Sequence, residues 1–301
     1  MAQAETYPTR PITLIVPFAA GGPTDVIGRI LGAHIQTTLG QTVVIENVTG
    51  ASGTLAGLRA ARATPDGYTL TIGHWGTHVI NGAIYQLQYD VLRDFEPVAL
   101  LANGPQLIIG RPTLPPRDLK ELIAWLKDNK ATAGTAGPGT GAHVAAVFFQ
   151  SLTGTSFSFV PYRGAGPALN DTVAGQVPII FDNMPSALPF IKDGRLIAIV
   201  VAAPQRLAQL PSVPTFKEVG LEPVNRMAYY GIYGPKGLPR DIVEKVHGAV
   251  RKTLDDPNVK KRIEETGSLI IGNTPEQFGA QIAAEFEVYK KVVALQKLTL
   301  E

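Results

Sequence analysis

The sequence predicts an α/β fold made of two domains. Strand-like and helix-like runs alternate along the first 72 residues, which is typical of a parallel sheet flanked by helices. The chain has 301 residues, 45% of them hydrophobic, which is enough for two hydrophobic cores. A glycine turn between a strand and a helix occurs twice, beginning at residue 16 and again at residue 160. This repetition favours one such turn in each domain.

In chain order, the first elements are a strand, Ile12–Val16, and an amphipathic helix over 26–39 with apolar residues at helical spacing. The other predicted strands lie within 42–46, 68–72, 94–110, 157–160, 177–181, 196–202 and 229–233. The other predicted helices cover 55–63, 118–129, 142–152 and the run through 170–174, and three more finish the chain. The last of these begins with a capping box, Thr274 with Gln277. We expect the chain to leave the first domain near 102–106 and to return in 229–233.

The repeated turn reads VPFAAGGP in its first copy and VPYRGAGP in its second. Glycine leaves no side chain to block a guest, and a helix start carries unpaired N–H groups and about half a positive charge. A small anion can therefore be held there without Lys or Arg. The alternative is that both copies are ordinary strand-to-helix connections, which also favour Gly and Pro.

Composition narrows the class of protein. A formal net charge of +2 with scattered Lys and Arg indicates neither nucleic-acid nor membrane binding. The absence of Cys excludes disulfides, thiolate metal sites and Cys nucleophiles. No apolar run reaches the roughly 18 residues of a membrane span. The segment 1–6 has neither a basic start nor an apolar core, so we expect a mature chain restarted with an added Met, and Leu300 and Glu301 as a cloning remnant.

Two stretches invite a metal or nucleotide interpretation. In GHWGTHVIN, 73–81, the histidines stand four residues apart, but Gly73 and Gly76 argue against a helix and a third ligand is lacking. We expect no metal there. The loop GTAGPGTGAH, 134–143, has neither the G-x-G-x-x-G spacing nor a P-loop. It fits a helix start capped by Thr140, with His143 either at the lip of a cleft or in the core.

Catalytic signatures are absent: the sequence has no G-x-S-x-G, H-E-x-x-H or Walker motif. Asp25 is the one acid beside the first turn that is placed to act as a base. Its alternative role, capping the helix start, is favoured. The residues therefore favour anion capture over catalysis, and we expect no catalytic residue and no cofactor.

Seven segments in the same order resemble a known family, the periplasmic substrate-binding proteins of tripartite tricarboxylate transporters, also called the Bug or TctC family. They cover nearly the whole chain and read YPTRPITLIVPFAAGGPTDV, ATPDGYTL, YDVLRDFEPVALL, VPYRGAGPALND, AGQVPIIFDNMPSALPFIKDGRL, LPSVPTFKEVGL and GNTPEQF. The resemblance implies a two-lobed periplasmic-binding-protein, or Venus-flytrap, fold, with two α/β domains joined by two crossing strands. We expect residues 7–103 with 228–301 in one domain and 104–227 in the other.

The resemblance also implies where a ligand binds. One carboxylate is expected between the two glycine turns, held mostly by backbone N–H groups, hydroxyls and waters, with Asp25 capping the helix or orienting waters. The residues assigned to this end are Phe18, Gly21, Gly22, Thr24, Asp25, Tyr162, Gly164, Ala165, Gly166 and Ala168. The residues assigned to the distal end of the ligand are His74, Trp75, Thr77, His78, Thr140, His143 and Asp182, the last in a pair with Asn183.

The expected ligand is a dicarboxylate of about four to six carbons, because a neutral or positive His at the distal end suits a second carboxylate. An aromatic carboxylate stacked near Trp75 and a carboxylate-processing enzyme are the alternatives. The resemblance further implies a monomer in the periplasm that works with the membrane components of a tripartite tricarboxylate transporter.

Overall fold

A computed structural model describes residues 7–296, with the side chains of 292 and 294–296 excepted. The expectations for the two chain ends therefore lie outside the described residues. Within 7–296 the strands are β1 Ile12–Val16, β2 Val43–Asn47, β3 Thr69–His74, β4 Phe95–Gly104, β5 Gln106–Gly110, β6 Thr132–Thr135, β7 Ser158–Pro161, β8 Ile179–Asn183, β9 Ile197–Ala202, β10 Ala228–Pro235 and β11 Leu269–Ile270. The helices are α1 Pro23–Leu39, α2 Thr54–Ala61, α3 Asn81–Ile84, α4 Leu119–Asp128, α5 Gly141–Thr153, α6 Ala165–Val173, α7 Met184–Lys192, α8 Arg240–Asp255, α9 Pro257–Glu265 and α10 Pro275–Gln296.

These strands form two sheets, which define two lobes. The outer lobe has the sheet β11-β4-β10-β3-β1-β2, built from both ends of the chain, and the central lobe has the sheet β7-β6-β8-β5-β9. The chain crosses between them at the step from β4 to β5 and again before β10. The predicted two-lobed α/β fold is confirmed. The predicted domain limits stay a prediction, and the lobes are named here by their sheets.

Both sheets are mixed, where the alternating pattern predicted parallel ones. β1 is parallel to β2 and β3, and β6 is parallel to β7 and β8. The strands that carry the chain between lobes run the other way: β10 is antiparallel to β3 and β4, and β5 to β8 and β9. A strand that comes from the other lobe enters the sheet at the carboxyl ends of its parallel strands. It therefore runs antiparallel to them.

Hydrophobic cores lie on both faces of each sheet. In the outer lobe, α1, α8 and α9 pack on one face, and α2 and α10 pack on the other. The capping box of α10 is confirmed, since Gln277 N donates to Thr274 Oγ1 at 3.2 Å and Thr274 N to the Gln277 side chain at 3.0 Å. Covering both faces leaves the carboxyl ends of the parallel strands as the open edge, where ligands of such sheets bind.

Candidate functional site

A small cavity lies between the lobes, at the end of each sheet where its parallel strands finish. Its volume of about 20 Å³ is enough for about one water molecule, so the lobes are almost fully closed on it. The outer lobe contributes Phe18, Pro23, Thr24, His74 and Ala228 to its wall. The central lobe contributes Gln106, Ala136, Thr140, Gly141, Ala142, Ala165, Asp182 and Asn183. Admission of a larger guest requires the lobes to separate.

The two predicted glycine turns face each other across the boundary between the lobes. The amide N of Ala19 donates to the carbonyl of Arg163 at 3.1 Å. A Cβ built on Gly22 would lie 3.7 Å from the amide N of Ala165, and one built on Gly166 would overlap the carbonyl O of Ala20. A Cβ at Gly22 would be in ordinary van der Waals contact with the other lobe, whereas one at Gly166 has no room. The structure thus brings together the two segments that the repeated pattern singled out.

The first turn is braced by Asp25, a residue that is only 3% exposed. Its carboxylate accepts from Gly21 N at 3.0 Å, from Arg29 Nε at 2.8 Å and from Asn47 Nδ2 at 2.9 Å. Burial opposes ionisation, but these hydrogen bonds and the Arg29 charge outweigh it and lower the pKa of Asp25. Gly21, with a φ of +80°, donates its N–H to this carboxylate. Asp25 and Gly21 therefore support the loop and do not line this cavity. Their assignment as ligand contacts stays a prediction.

Replacement of Asp25 by alanine is expected to reduce the free energy of unfolding by about 2 to 4 kcal/mol at pH 7, because three donors lose their partner. Asp25→Asn should cost less. Its deficit should shrink as the pH falls below about 4, because a carboxyl with a lowered pKa contributes stability only while it is ionised. Urea denaturation measures both effects. Glu244→Ala, which breaks an exposed ion pair with Arg240, is the control and should cost less than about 1 kcal/mol.

The second turn ends β7 and begins α6, with Gly164 as the residue before the helix at a φ of +143°. A Cβ on Gly164 would lie 2.9 Å from Ala19 N, so this position also requires glycine. Ala165 lines the cavity. Ala168 lies one turn further along α6 and is fully buried in the central-lobe core. The structure therefore does not bring Ala168 to the cavity.

Several polar atoms at the cavity have no protein partner within the described part of the chain. Thr24 Oγ1, Gln106 Nε2 and Asn183 Oδ1 are all buried and unpaired. A buried polar atom without a partner costs about 1 to 3 kcal/mol, so such atoms favour a polar guest. Gln106 was missed from the sequence. The available signal was the pair of amides, Asn103 and Gln106, inside the apolar run that crosses between the lobes.

Asp182 is the one acidic side chain on the wall of the cavity and is 1% exposed. Burial raises its pKa to about 7, although the Ser186 hydroxyl donates to its Oδ2 at 2.7 Å and partly opposes that rise. The carboxyl therefore changes charge near neutral pH. No Lys or Arg lines the cavity, so helix starts and neutral donors would have to hold an anion.

His74 reaches the cavity from the end of β3, with its ring stacked on Phe18 at a centroid distance of 5.0 Å. Its Nδ1 accepts from Gly76 N at 2.7 Å, which leaves the proton of the neutral ring on Nε2. Burial lowers the pKa of His74 to about 4. His74 is therefore a neutral donor at physiological pH.

The other predicted residues of 73–81 point away from the cavity. The segment is a helical turn of π type, Gly76–Ile80, where glycines had argued against a helix. His78 stacks on Tyr233 at 3.8 Å inside the outer lobe, and Thr77 Oγ1 is bonded to His74 and His78. The Trp75 ring packs on the Tyr289 ring with a centroid distance of 4.6 Å and lines an adjoining cavity of about 170 Å³, which shares Gln106 with the small one. Trp75, Thr77 and His78 thus lie outside the wall of the small cavity in this structure, and their role at the ligand stays a prediction.

The glycine-rich loop has the predicted cap at Thr140, and it places His143 in one of the two positions left open for it. Thr140 caps α5, accepting from His143 N at 3.4 Å, and it lines the cavity. His143 Nδ1 accepts from Gly139 N at 3.0 Å, and its ring packs on Phe159, so it is a core histidine of the central lobe. Of the two positions left open for His143, the structure selects the core.

A second and larger cavity, about 330 Å³, opens at the outer mouth of the cleft and includes Tyr162 in its wall. The Tyr162 hydroxyl donates to Asp171 at 2.7 Å, so only its ring faces this mouth. Beside it, Ser52 and Tyr85 of the outer lobe both donate hydrogen bonds to the carbonyl of Pro138 in the central lobe, the latter at 2.6 Å. These two bonds tie the lobes together at the mouth.

The described residues contain no group of three or more His, Cys, Asp or Glu arranged to hold a metal ion. Over the same 7–296 range, every helix is too short or too polar to cross a bilayer.

A closed cavity between two α/β lobes, lined by strand ends and helix starts, is the architecture of a two-lobed solute-binding protein. The family model described as "Tripartite tricarboxylate transporter family receptor" matches residues 27–299. The protein BugT of Bordetella pertussis is 33% identical over 294 residues, covering 96% of this chain and 90% of BugT. The chain belongs to this family of transporter receptors, as the resemblance implied.

Two solved structures extend the comparison. MatC (Rpa3494) from Rhodopseudomonas palustris with bound malate superposes with a TM-score of 0.90 at 37% identity, covering 95% of this chain and all of that one. R. palustris Rpa4515 with adipate gives a TM-score of 0.91 at 30% identity, covering 96% of this chain and 97% of that one. The family consists of substrate-binding receptors located outside the cytoplasm.

Proposed function

We propose that this protein is a periplasmic receptor that captures a small carboxylate, most simply a dicarboxylate of about four to six carbons, for a tripartite tricarboxylate transporter. The observation that carries the proposal is the closed cavity between two helix-start turns, with unpaired polar atoms on its wall and no cationic side chain. Such a site suits an anion held by backbone amides and neutral donors. Relatives crystallised with malate and adipate support this class of ligand.

Capture would proceed by closure of the two lobes. Each lobe supplies only part of the cavity wall, so a ligand favours the closed form through contacts that neither lobe makes alone. The hydrogen bonds at the mouth from Ser52 and Tyr85 to Pro138 would then hold the closed form. We propose that the membrane components recognise this closed shape and that the receptor works as a monomer.

The two alternatives, an enzyme and a receptor for an aromatic carboxylate, were each suggested by a residue that does not line the small cavity. Asp25, the only candidate base beside the turns, is fully engaged by three donors and does not line the cavity. Trp75, the residue that suggested an aromatic carboxylate, lines the adjoining cavity and not the small one, with Gln106 in the walls of both. A binding role without turnover therefore fits the site better than an enzyme, and NMR of a bound carboxylate left with the protein would detect any conversion.

Thermal denaturation with a panel of mono- and dicarboxylates tests the proposal. Because a ligand that binds only the folded state stabilises it, a true ligand at 100 times its Kd should add about 2.7 kcal/mol to the free energy of unfolding. Calorimetry on the best compounds would then give a 1:1 stoichiometry. Neutral sugars and amines of similar size are the controls. Stabilisation by these controls, with no effect of any carboxylate, would refute the proposed function.

A further inference from the structure

Asp182 places an acid on the wall of a cavity that suits an anion. The residue is 1% exposed, and the cavity that it lines has room for about one water molecule. A carboxylate that enters the closed site therefore lies against the Asp182 carboxyl group. Two carboxylates that share one site repel each other, which strongly raises the pKa of one of them. The ligand and Asp182 are therefore not both ionised unless a positive charge separates them.

The wall of the cavity provides no such positive charge. It has no Lys or Arg, and its histidine, His74, is neutral at physiological pH because burial lowers its pKa to about 4. Tyr230 of the outer lobe has a buried hydroxyl without a partner among the described residues, and burial and the charge of Asp182 both raise its pKa, so it is un-ionised. The Ser186 hydroxyl, bonded to Asp182 at 2.7 Å, is a neutral donor. An ionised Asp182 would therefore have no counter-charge here.

The ionisable side chains on the other elements around β8 do not reach this wall. They are His143 on α5, Asp171 on α6, Lys192 on α7, and Asp25 and Arg29 on the first two turns of α1. His143 packs on Phe159, and Asp171 accepts a hydrogen bond from Tyr162. Asp25 and Arg29 form an ion pair with each other, and Lys192 is exposed. The neighbouring strands β5 and β6 carry no ionisable side chain. Protonation is therefore the available way to remove the charge of Asp182 beside an anion.

Resting on the proposed function, we propose that the receptor captures its carboxylate ligand together with one proton, which Asp182 holds as a neutral carboxyl group. An ionised carboxyl only accepts hydrogen bonds, whereas a protonated one also donates, so the proton replaces repulsion by a hydrogen bond from Asp182 to the ligand. The proton comes from solvent when the ligand binds. Burial already raises the pKa of Asp182 to about 7, and a bound anion raises it further. Asp182 thereby makes the affinity for the ligand depend on pH.

Calorimetry over a range of pH tests this proton uptake. Malate and adipate, the ligands of the two solved relatives, are the first probes, followed by the tightest-binding dicarboxylate of the panel. We expect the affinity to fall at least about tenfold between about pH 7 and 9, because the complex needs a proton that becomes scarcer. Ordinary carboxyl groups have pKa values of about 4, so the ligand stays ionised over this range. At about pH 8, titrations in Hepes and in Tris, which differ in their heat of ionisation, should show uptake of about 0.5 to 1 proton per ligand.

Asp182→Asn tests whether the proton is held by this residue. Because asparagine is neutral at every pH, the affinity of the variant should change less than about twofold between about pH 7 and 9, with no proton uptake. At about pH 9 the variant should bind the ligand more tightly than the wild type does, a gain that a disturbed site would not give. Asp193→Asn, at an exposed aspartate, is the matched control and should keep the full pH dependence. Melting temperatures will show that both variants are folded.

Three results would overturn the proton uptake while leaving the proposed function intact. One is a wild-type affinity that does not change with pH, and another is a pH dependence that survives in Asp182→Asn. The third is binding that is tightened by sodium over choline at constant pH without proton uptake, because a cation would then neutralise Asp182. Binding of no dicarboxylate at all would overturn both proposals.

Discussion

Replacement of Gly166 by valine is expected to weaken carboxylate binding by at least about 100-fold, equivalent to about 2.7 kcal/mol, while leaving the open protein folded. In the closed structure a Cβ at this position would overlap the carbonyl O of Ala20, and it would lie 3.4 Å from the amide N of Gly22. Those atoms are backbone atoms of the other lobe and cannot rotate away. The lobes would have to stay apart, so the ligand would keep contacts with only one half of its site.

Calorimetry measures the loss of affinity, and small-angle X-ray scattering with and without ligand shows whether the lobes still close. The matched control is Gly248→Val on α8, where an added Cβ would meet no atom within 4 Å. This control should bind like the wild type. Full affinity together with normal compaction in Gly166→Val would show that the two turns do not have to meet for binding.

Replacement of Asp182 by asparagine is expected to stabilise the unliganded protein at high pH and to have little effect at low pH. The pKa of Asp182 is raised from 3.8 to about 7 by burial. At pH 4 the carboxyl is largely protonated in the folded protein, and the cost of ionising it is small. As the pH rises from 4 through 7, the unfolded chain releases its proton first, so the wild type loses stability. The loss reaches up to about 4 kcal/mol at pH 8, at about 1.4 kcal/mol for each pH unit.

Asparagine carries no charge at any pH, and its side-chain oxygen still accepts from Ser186. Urea denaturation of the wild type and Asp182→Asn between pH 4 and 8 should therefore give two stability curves that diverge as the pH rises. Asp193→Asn, at an exposed ion pair with Arg195, is the control and should change stability by less than about 1 kcal/mol at every pH. A difference between wild type and Asp182→Asn that is constant with pH would contradict the expected ionisation.

Much of the fold was predictable because its signals are local. The apolar spacing of α1, the Thr140 cap of α5 and the Thr274–Gln277 box of α10 each involve residues within a few positions of one another, and all three are confirmed. Short elements escaped prediction for the opposite reason. The helix α7 and the strands β6 and β11 have weak patterns of their own and depend on packing against distant parts of the chain.

In the candidate site, too, features with a local sequence signal were predictable and features set by distant contacts were not. The repeated VP-aromatic-glycine motif located the two turns. Their backbones come close together, which requires small residues, and this requirement is visible in the sequence. The direction of each side chain could not be predicted from the sequence. His74 reaches the cavity, but His78, four residues later, stacks on Tyr233, which is 155 positions further along the chain. Gln106 gained its place at the site only through pairing with Asn183 on another strand.

By itself, the sequence determined the α/β class, the two-lobed organisation through family resemblance, and the two glycine turns, because each of these depends on local pattern or on recurring motifs. Only the tertiary structure decided which polar groups reach the cavity. It paired Asp25 with Gly21, buried His78 and His143 in the separate cores, and set Gln106 beside Asn183. The physical reason is that the direction of a side chain and the partners of a buried polar atom depend on segments that are distant in sequence and meet only in the folded protein.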